Sequence, residues 1–274
     1  MREKRFLPAL VVALAVAPIA GARAQDQDQA PIQDNSFLVE EAYNQAPGVV
    51  QHINVLELPR DGGSDWDFTF TQEWPLRSGK NQLSYTIPAA RFDGRTGVGD
   101  VLLHWRLQLV GGSDARFSLT PRVSLIVPTG DTERVPNTGG GGLEVAWAAS
   151  LVLSDHLVSH TNAGATRVHR AHNLAGDKAD LESIFAAQSF VWLLRPKLNL
   201  MLEALWERAD EVGGPGLAPT IESLFINPGL RFAIDEPSGL QIVPGLSFPM
   251  EIGSGEGSRS VLLYLSFEHP FGRR

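Results

Sequence analysis

Three groups of residues carry side chains suited to catalysis or ligation. Ser159, His160 and Asn162 offer a hydroxyl nucleophile, a base and an amide that could orient it. Nucleophilic catalysis needs the hydroxyl within hydrogen-bond reach of the imidazole and an oxyanion hole beside them. Adjacent residues of a strand point to opposite faces, so Ser159 and His160 are kept apart. His169, His172, Asp177 and Asp180 are metal-ligand types, but their spacing fits no fixed ligand geometry and reads as a solvated loop. Gly97-Val98-Gly99-Asp100 and Gly139 to Gly142 would suit a phosphate cradle only if a helix N-terminus followed. None does, and both read as loop hinges leading into strands. With no cysteine in the chain, thiolate nucleophiles, Cys-ligated metals and disulfides are excluded. The expectation is a protein without catalytic residues, cofactor or bound metal, and not an enzyme.

A fourth set is defined by position. Asp67, Glu73, His104, Arg106, Arg122, Glu144, His160, Glu203, Glu207, Arg231 and Glu268 all fall on the polar face of alternating segments. Such a set can line a lumen past which solutes move, or form salt bridges that hold a barrel in shape. Because it mixes both signs, strong ion selectivity is not expected. Arg106 lies five residues before the link at 111 to 116 and Arg122 six after it, which puts the two cations at similar height. Like charges so placed need nearby carboxylates, and Glu73 and Glu144 on flanking strands are the candidates.

The elements that must position these residues are strands. The 274 residues include 27 Gly and 18 Pro, both costly inside helices. From about residue 49 the dominant signal is period two. In Asp65 to Trp74 the side chains of Trp66, Phe68, Phe70 and Trp74 oppose Asp67, Thr69, Thr71 and Glu73. The runs 101–110, 117–127, 143–153 and 198–207 repeat the pattern. Weaker ones lie at 49–58, 82–88, 157–166, 183–193, 221–234, 240–250 and 260–271, giving twelve candidate strands. That even count, with short links after even-numbered strands and mostly longer ones after odd-numbered strands, predicts an antiparallel transmembrane β-barrel of about 12 strands over residues 49–271. Short turns then face the periplasm and longer loops face outward. The last strand is apolar on alternate residues and ends at Phe271, a terminus suited to the barrel-assembly machinery. Pro121, Pro228 and Pro244 oppose this reading, since each removes a ladder hydrogen bond. They imply bulges or broken pairing in a closed barrel, or else the edges of an open sheet.

Residues 1–24 read as a cleaved signal peptide: Arg2, Lys4 and Arg5, an apolar stretch from Phe6 to Ala20, then Ala22-Arg23-Ala24. Removing Arg2, Glu3, Lys4, Arg5 and Arg23 leaves 19 basic and 30 acidic residues and moves the formal charge from −8 to −11. So acidic a chain is a poor ligand for nucleic acid. Residues 25–48 are expected to form a periplasmic segment, polar and partly disordered at first. Phe37 to Gly48 then reads either as a short helix ending near Pro47-Gly48 or as a cover for the barrel mouth.

Four stretches, FLVEEAYNQAPGVVQHI (37 to 53), GVGDVLLHWRLQL (97 to 109), PRVSLIVPTGD (121 to 131) and INPGLRF (226 to 232), resemble the outer-membrane proteins named after the meta pathway of phenol degradation. They cover about a quarter of the chain. The resemblance implies a bacterial outer-membrane β-barrel that passes small molecules, hydrophobic or aromatic ones among them, and carries over no catalytic residue. The expected partners are outer-membrane lipid and small solutes. The alternatives are a structural or adhesion-type barrel, and a soluble periplasmic ligand-binding barrel whose apolar face would point inward.

Overall fold

The computed structural model describes Ile32 and residues 34–60, 63–135, 138–253 and 257–271. The proposed signal peptide, residues 1–24, lies outside the described residues. The described chain contains no helix and folds into one antiparallel sheet of twelve staves. These are β1 (Val49–Pro59), β2 (Trp66–Leu76), β3 (Asn81–Phe92), β4 (Arg95–Val98 continuing as Val101–Leu107), β5 (Phe117–Val127) and β6 (Gly141–Ser154). The second half comprises β7 (Leu157–His172), β8 (Lys178–Arg195), β9 (Leu198–Asp210), β10 (Thr220–Phe232), β11 (Gln241–Ser247 continuing as Met250–Glu251) and β12 (Ser260–Pro270). Each stave pairs with its sequence neighbours. The ring closes where β1 meets β12, in register from Val49↔Pro270 to Pro59↔Ser260. Closure removes the free edges that an open sheet would present.

Alternation decides which residues meet water-free surroundings. Outward side chains such as Leu103, Leu125, Trp147 and Leu263 are large, apolar and 43–53% exposed. Inward ones such as Gln82, Thr120, Asn199, Glu203 and Asn227 are fully buried and polar. This is the reverse of a soluble barrel, so the alternative with an inward apolar face does not hold.

The three prolines are accommodated by one rule: each keeps one ladder intact and breaks the other. Pro121 pairs with Trp147 on β6, while the β4–β5 ladder stops at Arg106↔Arg122, directly before it. Pro244 pairs with Leu265 on β12, and pairing to β10 begins only at Gly245↔Arg231. Pro228 pairs with Leu202 on β9, whereas on the β11 side the ladder is interrupted and bridged by Phe248 N–H to Pro228 O at 3.0 Å. The sheet is therefore closed with local breaks, and the seam between β10 and β11 is its most interrupted one.

Two outer links are shorter than the sequence suggests. β3 and β4 stay paired to Phe92↔Arg95, which leaves only Asp93-Gly94 as a two-residue turn with φ of 48° and 76°. Positive φ at both central positions is the hairpin geometry that Asp-Gly favours. Likewise β7 and β8 pair out to His172↔Lys178, with an irregularity between Val168 and Ala171. In these overhanging parts the apolar alternation that marks a lipid-facing strand is absent, so the sequence reads as loop.

Candidate functional site

The polar interior is not empty. Residues 34–48 enter from the end of the barrel where β1 starts and β12 stops, turn inside it and return to Gly48, whose φ of 84° redirects the chain into β1. The segment is irregular, so Phe37 to Gly48 forms no helix, and it lies within the lumen rather than across the mouth.

Its outer limb is fixed through Asp34. The carboxylate accepts hydrogen bonds from Gln51 Nε2 (2.8 Å), Tyr264 OH (2.6 Å) and Ser266 Oγ. Arg231, 1% exposed, donates from Nη1 to the carbonyls of Asp34 and Asn35, both at 2.6 Å. The deepest part is held by side chains of the wall. Glu203 accepts from Leu38 N–H at 3.1 Å and from Asn227 Nδ2 at 2.7 Å. Asn162 accepts from Glu40 N–H at 2.7 Å and donates to Glu40 O at 2.8 Å. Glu203 and Asn162 each lie five residues into their strands, roughly 12 Å of height at about 3.3 Å per residue and a ~40° tilt. That is near the middle of a ~25 Å apolar band. The returning limb is tied by Ser150 Oγ to Ala42 N–H (2.8 Å), Gln82 Oε1 to Gln45 N–H (2.7 Å) and Gln108 Oε1 to Asn44 N–H (3.0 Å).

Packing reinforces these bonds. Phe37 joins Ile53, Val191, Met201, Leu262 and Tyr264 in an apolar cluster inside the barrel, its ring edge-on to Tyr264 at 5.8 Å. The ring rests on Gly229 and Gly245: a Cβ on either would come within 2.5 to 2.6 Å of it. Two glycines on neighbouring staves thus form a notch at the interrupted β10–β11 seam.

The ionisable residues singled out by alternation fall as follows. Glu73, His104, Arg106, His160, Glu203 and Arg231 are buried against the segment or its surroundings. Arg122 pairs with Glu144 at 2.5 Å and with Glu40 of the inserted segment. Arg106 and Arg122 are direct cross-strand neighbours. Glu73 meets neither; it accepts from Gln82 Nε2 at 2.7 Å. Glu207 is half-buried and Asp67 exposed towards the far end. Glu40, Glu41 and Asp34 were missed as partners because their segment has no period to place them.

The other groupings resolve differently. Ser159 Oγ accepts from Gln188 Nε2 at 2.7 Å, while His160 Nδ1 lies 2.7 Å from Ser150 Oγ, its cross-strand neighbour. The Ser150 hydroxyl also accepts from Ala42 N–H of the inserted segment, and among the described residues no carboxylate or amide hydrogen-bonds the other ring nitrogen of His160. His169 pairs with Asp180 on the surface at 2.9 Å, and among the described residues no three His or carboxylate groups converge as a metal site. The two glycine stretches meet at Asp100, which accepts from Gly130 N–H (2.9 Å), Thr138 Oγ1 (2.6 Å) and Gly139 N–H (2.6 Å). Asp100 so holds Gly130, Thr138 and Gly139 together.

No family model and no curated protein matches the chain. Solved structures do. The COG4313 outer membrane channel from Pseudomonas putida F1 superposes with a TM-score of 0.63 at 13% identity, covering 83% of this chain and 97% of that one. The NanC porin gives 0.52 at 9% identity over 80% and 98%, and the KdgM porin 0.51 at 10% over 81% and 99%. At these identities the likeness establishes a common fold: this chain has the closed antiparallel barrel seen in outer-membrane channels and porins.

Proposed function

We propose that the protein is an outer-membrane channel for small molecules, gated by its own N-terminal segment, which occupies the lumen and withdraws transiently to let solutes through. The observation that carries this reading is the segment inside the lumen, bonded to the wall by side chains rather than built into the sheet. Backbone ladders keep the barrel shut whether or not the segment is present, so its withdrawal opens a path without unfolding the wall. Glu73, His104, Arg106, Arg122, Glu144, His160, Glu203, Glu207 and Arg231 then line that path, with Asp67 at its outer end. The resemblance to the phenol meta-pathway family favours hydrophobic or aromatic solutes among those that pass. Export after cleavage of residues 1–24 and insertion through the strand ending at Phe271 complete the reading.

A cysteine-free chain allows a clean test. Ser36 Oγ of the segment and Ser189 Oγ of β8 lie 3.0 Å apart, so Ser36→Cys with Ser189→Cys places two thiols within bonding reach. Reconstituted in liposomes, the reduced double variant is expected to pass small aromatic and polar solutes as the parent does, and the oxidised form to pass far less. Equal flux in both redox states would show that the segment does not gate. No flux of any small solute through the parent would end the channel reading.

A further inference from the structure

We propose that the cavity between the inserted segment and the wall formed by β1 to β5 is a binding site for a small monocarboxylate with an apolar, benzoate-sized body. The cavity has a volume of about 270 Å³, a little below the usual range for small-molecule sites of roughly 300–1,000 Å³. Phe37, Ile53, Val55 and Leu102 give it an apolar side, and Arg106 and Arg122 a cationic one.

The charge that points to an anion is on Arg106. It is 2% exposed, yet makes no ion pair and only one hydrogen bond among the described residues, from Nη2 to Glu41 O at 2.5 Å. Its Nε is buried without a partner, and so is that of Arg122. A buried guanidinium left unpaired is costly, and a carboxylate is its best-matched complement because it can accept two parallel N–H bonds. Most of the other polar groups of the cavity are occupied. His104 gives both ring nitrogens to hydroxyls, Ser124 Oγ at 2.8 Å and Thr86 Oγ1 at 3.1 Å. The charge of Arg122 is met by Glu40 and Glu144. Glu73 faces the cavity but is held by Gln82. Glu41 and Glu73 act on Arg106 electrostatically, but neither lies within ion-pair distance, so its buried Nε–H remains to be satisfied. The four glutamates around the two arginines, Glu40, Glu41, Glu73 and Glu144, disfavour a dianion such as sulfate, and the apolar side disfavours an anion as small as acetate.

This deepens the channel reading by naming a solute class and rests on that reading for its physiological sense. Its test is equilibrium binding to the full chain in detergent, independent of flux: binding without transport would defeat only the channel, and transport without binding only this site. In calorimetry, benzoate is expected to bind saturably and about tenfold more tightly than neutral benzyl alcohol or ring-free acetate, a difference of about 1.4 kcal/mol. Arg106→Gln should remove that preference and leave benzyl alcohol unchanged, while Arg167→Gln, in an exposed pair with Glu182, should change nothing. Glu73→Gln, which withdraws a competing charge, should tighten benzoate. Benzoate binding no tighter than either control, or undiminished in Arg106→Gln, would overturn the proposal. Should Arg106→Gln fail to fold, Glu73→Gln decides: unchanged or weaker benzoate binding would overturn it equally.

Discussion

Arg122 joins three elements, because its guanidinium on β5 meets Glu144 on β6 and Glu40 on the inserted segment. Replacing it by alanine leaves two partly buried carboxylates without their ion-pair partner. Breaking a buried pair by removing one partner costs about 3 kcal/mol, since the remaining charge is uncompensated. Arg122→Ala is thus expected to lower the stability of the barrel in urea titrations from lipid vesicles and to loosen the segment. Arg134→Ala should stay within about 0.5 kcal/mol of the parent, because its partner Asp131 and Arg134 are both exposed and such pairs contribute little. The Arg122 to Glu144 contact was legible in part: alternation puts both residues on one face of flanking strands, whereas the register that sets them on a diagonal, with Glu144 opposite Ser124, came only from the pairing. Glu40 was not legible. Nothing in a segment without period tells which wall residue it will meet, and the ion pair exists only because the chain re-enters the barrel 82 positions earlier in sequence.

At the scale of elements, the inserted segment is held by hydrogen bonds to side chains and by one aromatic ring in a glycine notch. Phe37→Ala removes the largest apolar contribution, roughly 3 kcal/mol for a buried phenyl ring. Gly245→Val acts from the other side, because even its Cβ would lie 2.6 Å from the Phe37 ring and 3.3 Å from Arg231 Cβ. Both variants are expected to raise single-channel conductance or open probability in planar bilayers while the barrel still forms. Closed channels in both would mean that Phe37 does not hold the segment in place. The prolines belong to this scale too. Sequence alone left open whether Pro121, Pro228 and Pro244 meant a broken barrel or an open sheet, since a missing N–H has the same local signature in either case. Only the partner strands decide, and each proline has an intact ladder on its second side. Strand ends were hidden for a related reason. In the overhanging parts of β7 and β8 the outward side chains are polar (Arg167, His169, Asp180, Glu182) while Val168, Ala171 and Ala179 stay buried inside, so the apolar-outward period that reveals a strand fades while its hydrogen bonds continue.

For the whole molecule the deciding property is inverted polarity. A soluble barrel of this size would bury Leu103, Leu125, Trp147 and Leu263 and expose Gln82, Asn199 and Asn227; here the two sets exchange places. In water such an exterior would be one continuous apolar surface far larger than the few hundred Å² that soluble monomers tolerate. In a bilayer the same surface is satisfied, and most inward polar residues are partnered by one another or by the inserted segment. Twelve-fold alternation was strong enough in the sequence to anticipate this arrangement, because every stave repeats it independently and errors at single strands do not propagate. Two consequences can be measured together. The protein should fractionate with outer membranes and resist extraction by high salt, and its folded form should migrate faster than the boiled form on detergent gels, because a closed ladder survives detergent until heated. A protein recovered in the soluble periplasmic fraction with no heat-dependent shift would contradict the membrane assignment, whatever the solute proves to be.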